Sequence, residues 1–79
     1  MVRVRPAAVL EDRAGRIVGV EVKLGATLGR RDRAGLGALR EAVPGRFVRG
    51  VIFYGGDEAV RFGERIVALP MSWLWSLRS

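Results

Sequence analysis

Residues 16–24 read RIVGVEVKL, and apolar side chains recur along this stretch with the period of a β-strand, which makes it the clearest indicator of the fold. Successive side chains of a strand point to opposite faces, so Glu21 and Lys23 share one face. The other face is entirely apolar and consists of Val18, Val20, Val22 and Leu24. The stretch therefore predicts a strand with one apolar face and one face on which an acid and an amine lie side by side.

A second strand is predicted just before this one, over residues 4–11, with a turn at residues 12–15. Gly15 suits the left-handed position of a three-residue turn with a bulge, and that turn sets the pairing register of the hairpin. In this register Ala7 faces Glu21.

The period changes from two residues to that of a helix over residues 32–43, where Asp32 is the expected N-cap. The apolar side of this helix consists of Leu36, Leu39 and Val43. Gly35 and Gly37 lie in the helix interior, where glycine is unfavourable. We therefore expect these two glycines to allow close packing of the helix on a sheet.

Residues 47–54 are almost continuously apolar, which is typical of a central strand covered on both faces. A strand, a helix and a buried strand in succession form a βαβ unit, so this strand is expected to run parallel to residues 16–24 after a right-handed crossover. The remaining elements are a hairpin over residues 59–62 and 65–69 and a short helix over residues 70–77. The predicted fold class is α/β, with a small mixed sheet in a single domain over residues 1–79.

The composition excludes several kinds of chemistry. The 79 residues include no cysteine and no histidine, which rules out disulfides, Cys–His and Ser–His catalysis and the usual zinc sites. The chain has no Gly-x-x-x-x-Gly-Lys-Ser/Thr loop, so nucleotide binding is not expected. It also lacks a long apolar run and a signal peptide, which predicts a cytoplasmic protein with no membrane contact. A net charge of +6 favours anionic partners.

The first candidate site is the pair Glu21 and Lys23. A carboxylate can hold Mg²⁺ or a similar cation, and a neighbouring lysine can stabilise a phosphoryl oxygen or orient an attacking water. The alternative is a solvent-facing strand that carries an ordinary charge pair.

The second candidate site is a group of arginines on the predicted helix. Arg30, Arg33 and Arg40 fall within about 80° of arc at helical spacing, so they could follow a phosphate backbone. The alternative is a solvated helix face. Because the chain has no asparagine or glutamine, nucleic-acid binding is expected to be independent of base sequence.

A hairpin, then Glu21-x-Lys23, a helix and a buried parallel strand make up a layout that resembles the core of the PD-(D/E)xK nuclease-like superfamily. A closer resemblance rests on residues 9–12, 15–23, 35–36, 39–40, 46–47, 50–51, 54, 56, 63, 65, 68–70, 72, 74 and 75. In their order and spacing these residues resemble the C-terminal nuclease-like domain of a family of prokaryotic AAA+ ATPases. The resemblance spans almost the whole chain.

The resemblance implies a nuclease-like core in which Glu21 and Lys23 are the catalytic positions and Glu21 is a metal ligand. It also implies an aspartate in the first strand as a second metal ligand, but Ala7 stands at that position. We therefore expect a truncated, catalytically incomplete nuclease-like module. Its expected role is binding or assembly, with a partner chain or a nucleic-acid backbone, and it needs no cofactor.

Two alternatives stay open. The chain is a metal-dependent nuclease if another subunit or chain completes the site, in which case Mg²⁺ or Mn²⁺ is the cofactor. It is a purely structural oligomerisation element if its apolar content serves self-association. The expected partners are a second copy of the chain or a larger ATPase-type protein, together with non-specific nucleic acid.

Overall fold

The computed structural model describes residues 8–63 and 65–76, without the side chains of residues 75 and 76, and in these residues five strands form one mixed sheet. The strands are β1 (Ala8–Glu11), β2 (Ile17–Val22), β3 (Phe47–Tyr54), β4 (Val60–Arg61) and β5 (Ile66–Pro70). The helices are α1 (Ala34–Ala42), which follows a 3₁₀ turn at Arg30–Arg33, and the short α2 (Trp73–Ser76). The strand order across the sheet is β1-β2-β3-β5-β4.

The predicted α/β fold class is confirmed. Strand β3 lies in the middle of the sheet and pairs in parallel with both β2 and β5. The two hairpins, β1–β2 and β4–β5, pair antiparallel at the edges. Ala8 pairs with Val20, which is the register expected from the turn at Gly15, where φ is 82°. Ala7, the predicted neighbour of Glu21, lies outside the described residues.

Helix α1 packs on one face of the sheet and covers the core. Leu36 is the fully buried residue of the helix, and it packs against the central and neighbouring strands. The other members of the core are Phe47, Ile52, Tyr54, Ile66 and Ala68. The strand positions alternate as expected, so on β2 the residues Ile17, Gly19 and Glu21 are buried on this covered face.

The glycines that allow close packing are on the strands, so the prediction for the helix glycines is corrected at Gly37. A Cβ placed on Gly37 would meet no atom within 4 Å. A Cβ placed on Gly19 would lie 2.7 Å from Cδ2 of Leu36, and one on Gly50 would lie 3.0 Å from its Cδ1. The absence of a side chain at the two strand glycines therefore leaves the space that Leu36 of the helix occupies.

The start of the helix also differs from the expectation. Helix α1 begins at Ala34 with Arg33 as its N-cap residue, and Asp32 belongs to the preceding 3₁₀ turn. The Asp32 carboxylate accepts a hydrogen bond from the Gly29 N–H at 2.5 Å and so closes that turn. Asp32 therefore does not cap α1, because its carboxylate is directed back toward the chain that enters the turn.

The opposite face of the sheet is apolar and partly exposed. We call it the open face; its members are Leu10, Val18, Val20, Val51, Phe53, Val67 and Leu69. Leu10 remains 58% exposed, and the neighbouring Val22 remains 48% exposed. In the described part of the chain neither helix has the length and apolar content that crossing a bilayer requires.

Candidate functional site

Glu21 lies on the covered face of β2 and is buried, with 4% of its surface exposed. Its Oε2 has no hydrogen-bond partner among the described residues. Burial raises the pKa of Glu21 above its ordinary value of 4.5, and the negative charge of Asp32 raises it further. The solvent-facing alternative for this position is therefore wrong, because β2 turns the carboxylate toward the interior.

Lys23 lies just beyond β2 and continues its pairing, since its N–H donates to the Phe53 carbonyl at 2.8 Å. Its ammonium donates to Oδ2 of Asp32 at 2.7 Å and to the carbonyl of Thr27. The amine of the Glu-x-Lys pair therefore forms its ion pair with an acid from the 3₁₀ turn.

Asp32 thus brings a second carboxylate to the first candidate site. Burial acts to raise the pKa of Asp32, but hydrogen bonds from Lys23 and Gly29 and the lysine charge outweigh it and hold the pKa below 3.8. We call Glu21, Lys23 and Asp32 the carboxylate cluster. The sequence signal for Asp32 was its place at the start of the crossover helix, but that position indicated a cap and not a partner of the strand residues.

The residues of the carboxylate cluster do not fit a divalent cation. Mg²⁺ requires near-octahedral oxygen coordination, usually from carboxylates together with waters and substrate phosphates. Here Oδ2 of Asp32 already accepts from the ammonium of Lys23 and from the Gly29 N–H. The described residues also contain no group of three or more acidic, histidine or cysteine side chains placed to hold a metal. No hydrolytic step follows from this geometry.

The second candidate site is a groove of about 850 Å³ between α1 and the β4–β5 hairpin. We call it the arginine groove, because the three predicted arginines, Arg30, Arg33 and Arg40, all line it. Its other charged lining residue is Glu41, and the remaining lining residues are Ala34, Gly37, Ala38, Phe62, Gly63 and Ile66. The prediction that the three arginines lie on one helix is corrected, because only Arg40 lies on α1 while Arg30 and Arg33 belong to the 3₁₀ turn before it. The three nevertheless line one groove, whose opposite wall is the β4–β5 hairpin.

Phe62 is the groove residue that the sequence did not single out. The guanidinium of Arg33 lies over its ring, 5.1 Å from the ring centroid, in a cation–π arrangement. Phe62 follows β4, far from α1 in sequence, so only the packing of the hairpin beside the helix brings the two side chains together. Basic side chains from the 3₁₀ turn and α1 and an aromatic ring from a separate hairpin therefore share one concave surface.

Comparison with known proteins gives a family but no activity. A family model described as a domain of unknown function (DUF4143) matches residues 8–74, a range that includes both candidate sites. Searches of curated proteins and of solved structures found no match. Since the family model covers most of the chain, this protein belongs to the family described as domain of unknown function DUF4143.

Proposed function

We propose that this domain binds the phosphate backbone of nucleic acid in the arginine groove and does not cut it. The observation that carries the proposal is the convergence of Arg30, Arg33 and Arg40 on one concave surface. A planar guanidinium donates hydrogen bonds in a fork that matches phosphate oxygens. The net charge of +6 attracts a polyanion to the same domain.

The state of the carboxylate cluster supports binding without cleavage. Lys23 forms an ion pair with Asp32, so its ammonium is not directed at an incoming phosphate. Glu21 is buried with a raised pKa, which disfavours the charged form that a metal ligand or a base requires. The resemblance to the nuclease-like domain of AAA+ ATPases supports nucleic acid as the polyanion, with the catalytic function lost.

The proposal is tested by measuring the anisotropy of a labelled oligonucleotide of about 20 nucleotides, which exceeds a typical single binding site. The groove variant Arg30→Glu/Arg33→Glu is compared with Arg13→Glu/Arg31→Glu, which changes the net charge equally through exposed arginines outside the groove lining. We expect the groove variant to lose at least about 10-fold in affinity and the control to lose about 3-fold or less.

Equal losses in the two double variants would mean that only net charge matters and would contradict a groove. Circular dichroism and thermal melting verify that both variants are folded. If the charge reversals unfold the domain, the milder Arg30→Gln/Arg33→Gln variant replaces them, with Arg13→Gln/Arg31→Gln as its control. The same ranking of affinities is then expected.

The absence of cleavage is tested separately. Plasmid and single-stranded DNA are incubated with the protein in the presence of Mg²⁺ or Mn²⁺, and we expect both to remain intact. Cleavage that disappears in Glu21→Ala or Lys23→Ala would overturn the proposal and favour a metal-dependent nuclease.

A second candidate function, assembly of two copies, is favoured by the open face. Parallel strands normally have both faces covered, whereas β2, β3 and β5 expose apolar side chains on this face. We propose a second copy of the chain as the covering layer. Two copies that each carry a net charge of +6 repel each other at long range, so short-range burial of an uncharged face such as this one has to supply the attraction.

The size of the open face predicts a weak dimer. Four strands at about 4.8 Å spacing and about five residues of each give a footprint of roughly 19 by 17 Å. Standard interfaces bury about 800 Å² on each partner, so this contact is expected to dissociate on dilution. Sedimentation over a concentration series tests it, with Val20→Lys expected to be monomeric and Ala42→Lys, on the exposed side of α1, expected to dimerise as the wild type does. A wild type that is monomeric throughout the series would contradict assembly.

A further inference from the structure

The lining of the arginine groove is of two chemical kinds. Phosphate binding uses the charged residues, but six of the ten described lining residues are apolar or glycine. These six are Ala34, Gly37, Ala38, Phe62, Gly63 and Ile66. A ligand that presents phosphates alone leaves this apolar part without a partner, so the groove fits a ligand that is both charged and apolar.

The apolar part has open space beside Gly37 of α1. A Cβ placed on Gly37 would meet no atom within 4 Å, so space is open above the middle of α1. The whole groove, at about 850 Å³, has the size of clefts that hold small organic ligands. The groove therefore has room for an organic group beside the phosphates.

Arg33 and Phe62 supply planar surfaces beside this space. The ring of Phe62 is partly exposed, and the guanidinium of Arg33 lies over it at 5.1 Å. Nucleobases stack on aromatic rings and on arginine guanidinium planes, and such stacking tolerates every base. The Arg33–Phe62 pair thus has the chemistry of a stacking platform.

We propose that the groove takes single-stranded nucleic acid, with one base stacked on the Arg33–Phe62 pair and the adjoining phosphates contacting Arg30 and Arg40. This inference rests on the proposed function and specifies its ligand. In a duplex the bases are already stacked and paired, so a duplex offers the groove its phosphates only. A single strand can turn a base out toward the apolar wall.

Three oligonucleotides of one length, about 20 nucleotides, separate the contributions of base and backbone. They are a single strand of mixed sequence, the same strand annealed to its complement, and an abasic strand with the same number of phosphates. We expect the wild type to bind the single strand about 10-fold more tightly than the other two, because stacking contributes about 1–3 kcal/mol per base. DNA and RNA versions of the single strand show whether the sugar matters.

Phe62→Leu removes the stacking surface and keeps an apolar side chain. We expect about 5- to 10-fold weaker binding of the single strand and unchanged binding of the duplex and the abasic strand. Phe53→Leu, on the open face, is the matched control and should bind as the wild type does. Phe62→Trp keeps an aromatic plane and should preserve the preference for the single strand, while Arg33→Lys, which keeps the charge without the plane, should weaken it.

The failure of this inference and the failure of the proposed function give different results. Binding of the duplex as tightly as the single strand, or an equal loss for all three oligonucleotides in Phe62→Leu, would overturn the single-strand proposal and leave backbone binding intact. Binding of none of the three would overturn both. If Phe62→Leu does not fold, the comparison of wild type, Phe62→Trp and Arg33→Lys decides the question.

Discussion

The carboxylate cluster and the arginine groove share the 3₁₀ turn that leads into α1, since Asp32 belongs to the cluster and Arg30 and Arg33 line the groove, but their charge balance differs. In the cluster, Lys23 and Asp32 neutralise each other and Glu21 is buried. In the groove, three arginines face one acid, Glu41, among the described lining residues. In the cluster a carboxylate thus neutralises the lysine charge, whereas the groove has an excess of positive charge beside a ligand-sized space.

A sequence motif therefore establishes which groups are present but not what they contact. The Lys23 ammonium lies 2.7 Å from the Asp32 carboxylate, so this ion pair stabilises the fold. The two-residue spacing of Lys23 from Glu21 does not change that role. A guanidinium that lies over a phenyl ring keeps its charge and its donors and gains a rigid position. Four predictions test this contrast, and the one with the strongest effect comes first.

The largest effect is expected from Lys23→Met, because it leaves Asp32 without its cation next to a second carboxylate. The side chains of the pair are 30% and 14% exposed, so the loss is smaller than for a fully buried pair, at about 2 kcal/mol of unfolding free energy. In a domain of this size that lowers the melting temperature by roughly 10 °C. Calorimetry measures it, and nucleic-acid affinity below the melting temperature should not change.

The double variant Lys23→Met/Asp32→Asn is the control for that prediction. Asp32→Asn removes the carboxylate charge that Lys23→Met leaves without a cation. The double variant should therefore regain part of the stability that the single variant loses. A Lys23→Met protein that melts like the wild type but fails to bind nucleic acid would contradict this prediction. It would mean that the carboxylate cluster binds the ligand and does not stabilise the fold.

The next effect concerns the packing of α1 on the strand glycines, because this helix contributes much of the groove lining. Gly19→Ala places a Cβ 2.7 Å from Leu36 and 2.9 Å from Leu39, so it should cost about 1–2 kcal/mol of stability by displacing the helix. Gly37→Ala is the matched control, since its Cβ has open space and alanine favours helix by about 0.5–1 kcal/mol. Urea unfolding should show opposite signs for the two substitutions. The same sign for both would mean that the helix glycine also has a packing role.

A smaller effect is expected in the pH dependence of stability. The pKa of Glu21 is raised in the folded state, so the folded protein binds more protons and stability falls as pH rises from about 4.5 upward. The lowered pKa of Asp32 acts in the opposite direction and in a different range, with stability lost as pH falls through 3.8 and below. Glu21→Gln should abolish the decline above about pH 4.5 and keep the loss in acid. A decline that persists in Glu21→Gln would show that another group causes it.

The smallest effect concerns the salt dependence of binding. Each phosphate contact contributes a slope of about −0.7 for single strands when the logarithm of affinity is plotted against that of salt concentration. Arg30→Gln should reduce the slope by about this amount, whereas Arg31→Gln, outside the groove lining, should leave it unchanged. Equal slopes for both variants would contradict a direct contact at Arg30.

Much of the fold was predictable because local rules apply to it. Short-range patterns predicted the two main strands, since the alternation along residues 16–24 indicated β2 and the apolar run at residues 47–54 indicated β3. The turn at Gly15 predicted the register in which β1 pairs with β2. The helix start was placed two residues early, because Asp32 has the chemistry of a cap while its actual partners lie elsewhere in the chain. The role of the strand glycines was missed, because it depends on where Leu36 docks.

The element types and the shared face of Glu21 and Lys23 follow from the order of residues alone, because strand and helix periods are local. The period of a helix does not account for Arg30 and Arg33, which lie in a 3₁₀ turn. Three features depend on the packing of distant segments: the face of β2 that is covered, the acid that the lysine contacts and the ring that lines the groove. The physical reason is that burial and ion pairing depend on what packs against a residue. For this chain those neighbours come from the 3₁₀ turn and the β4–β5 hairpin, which no spacing within β2 or α1 can encode.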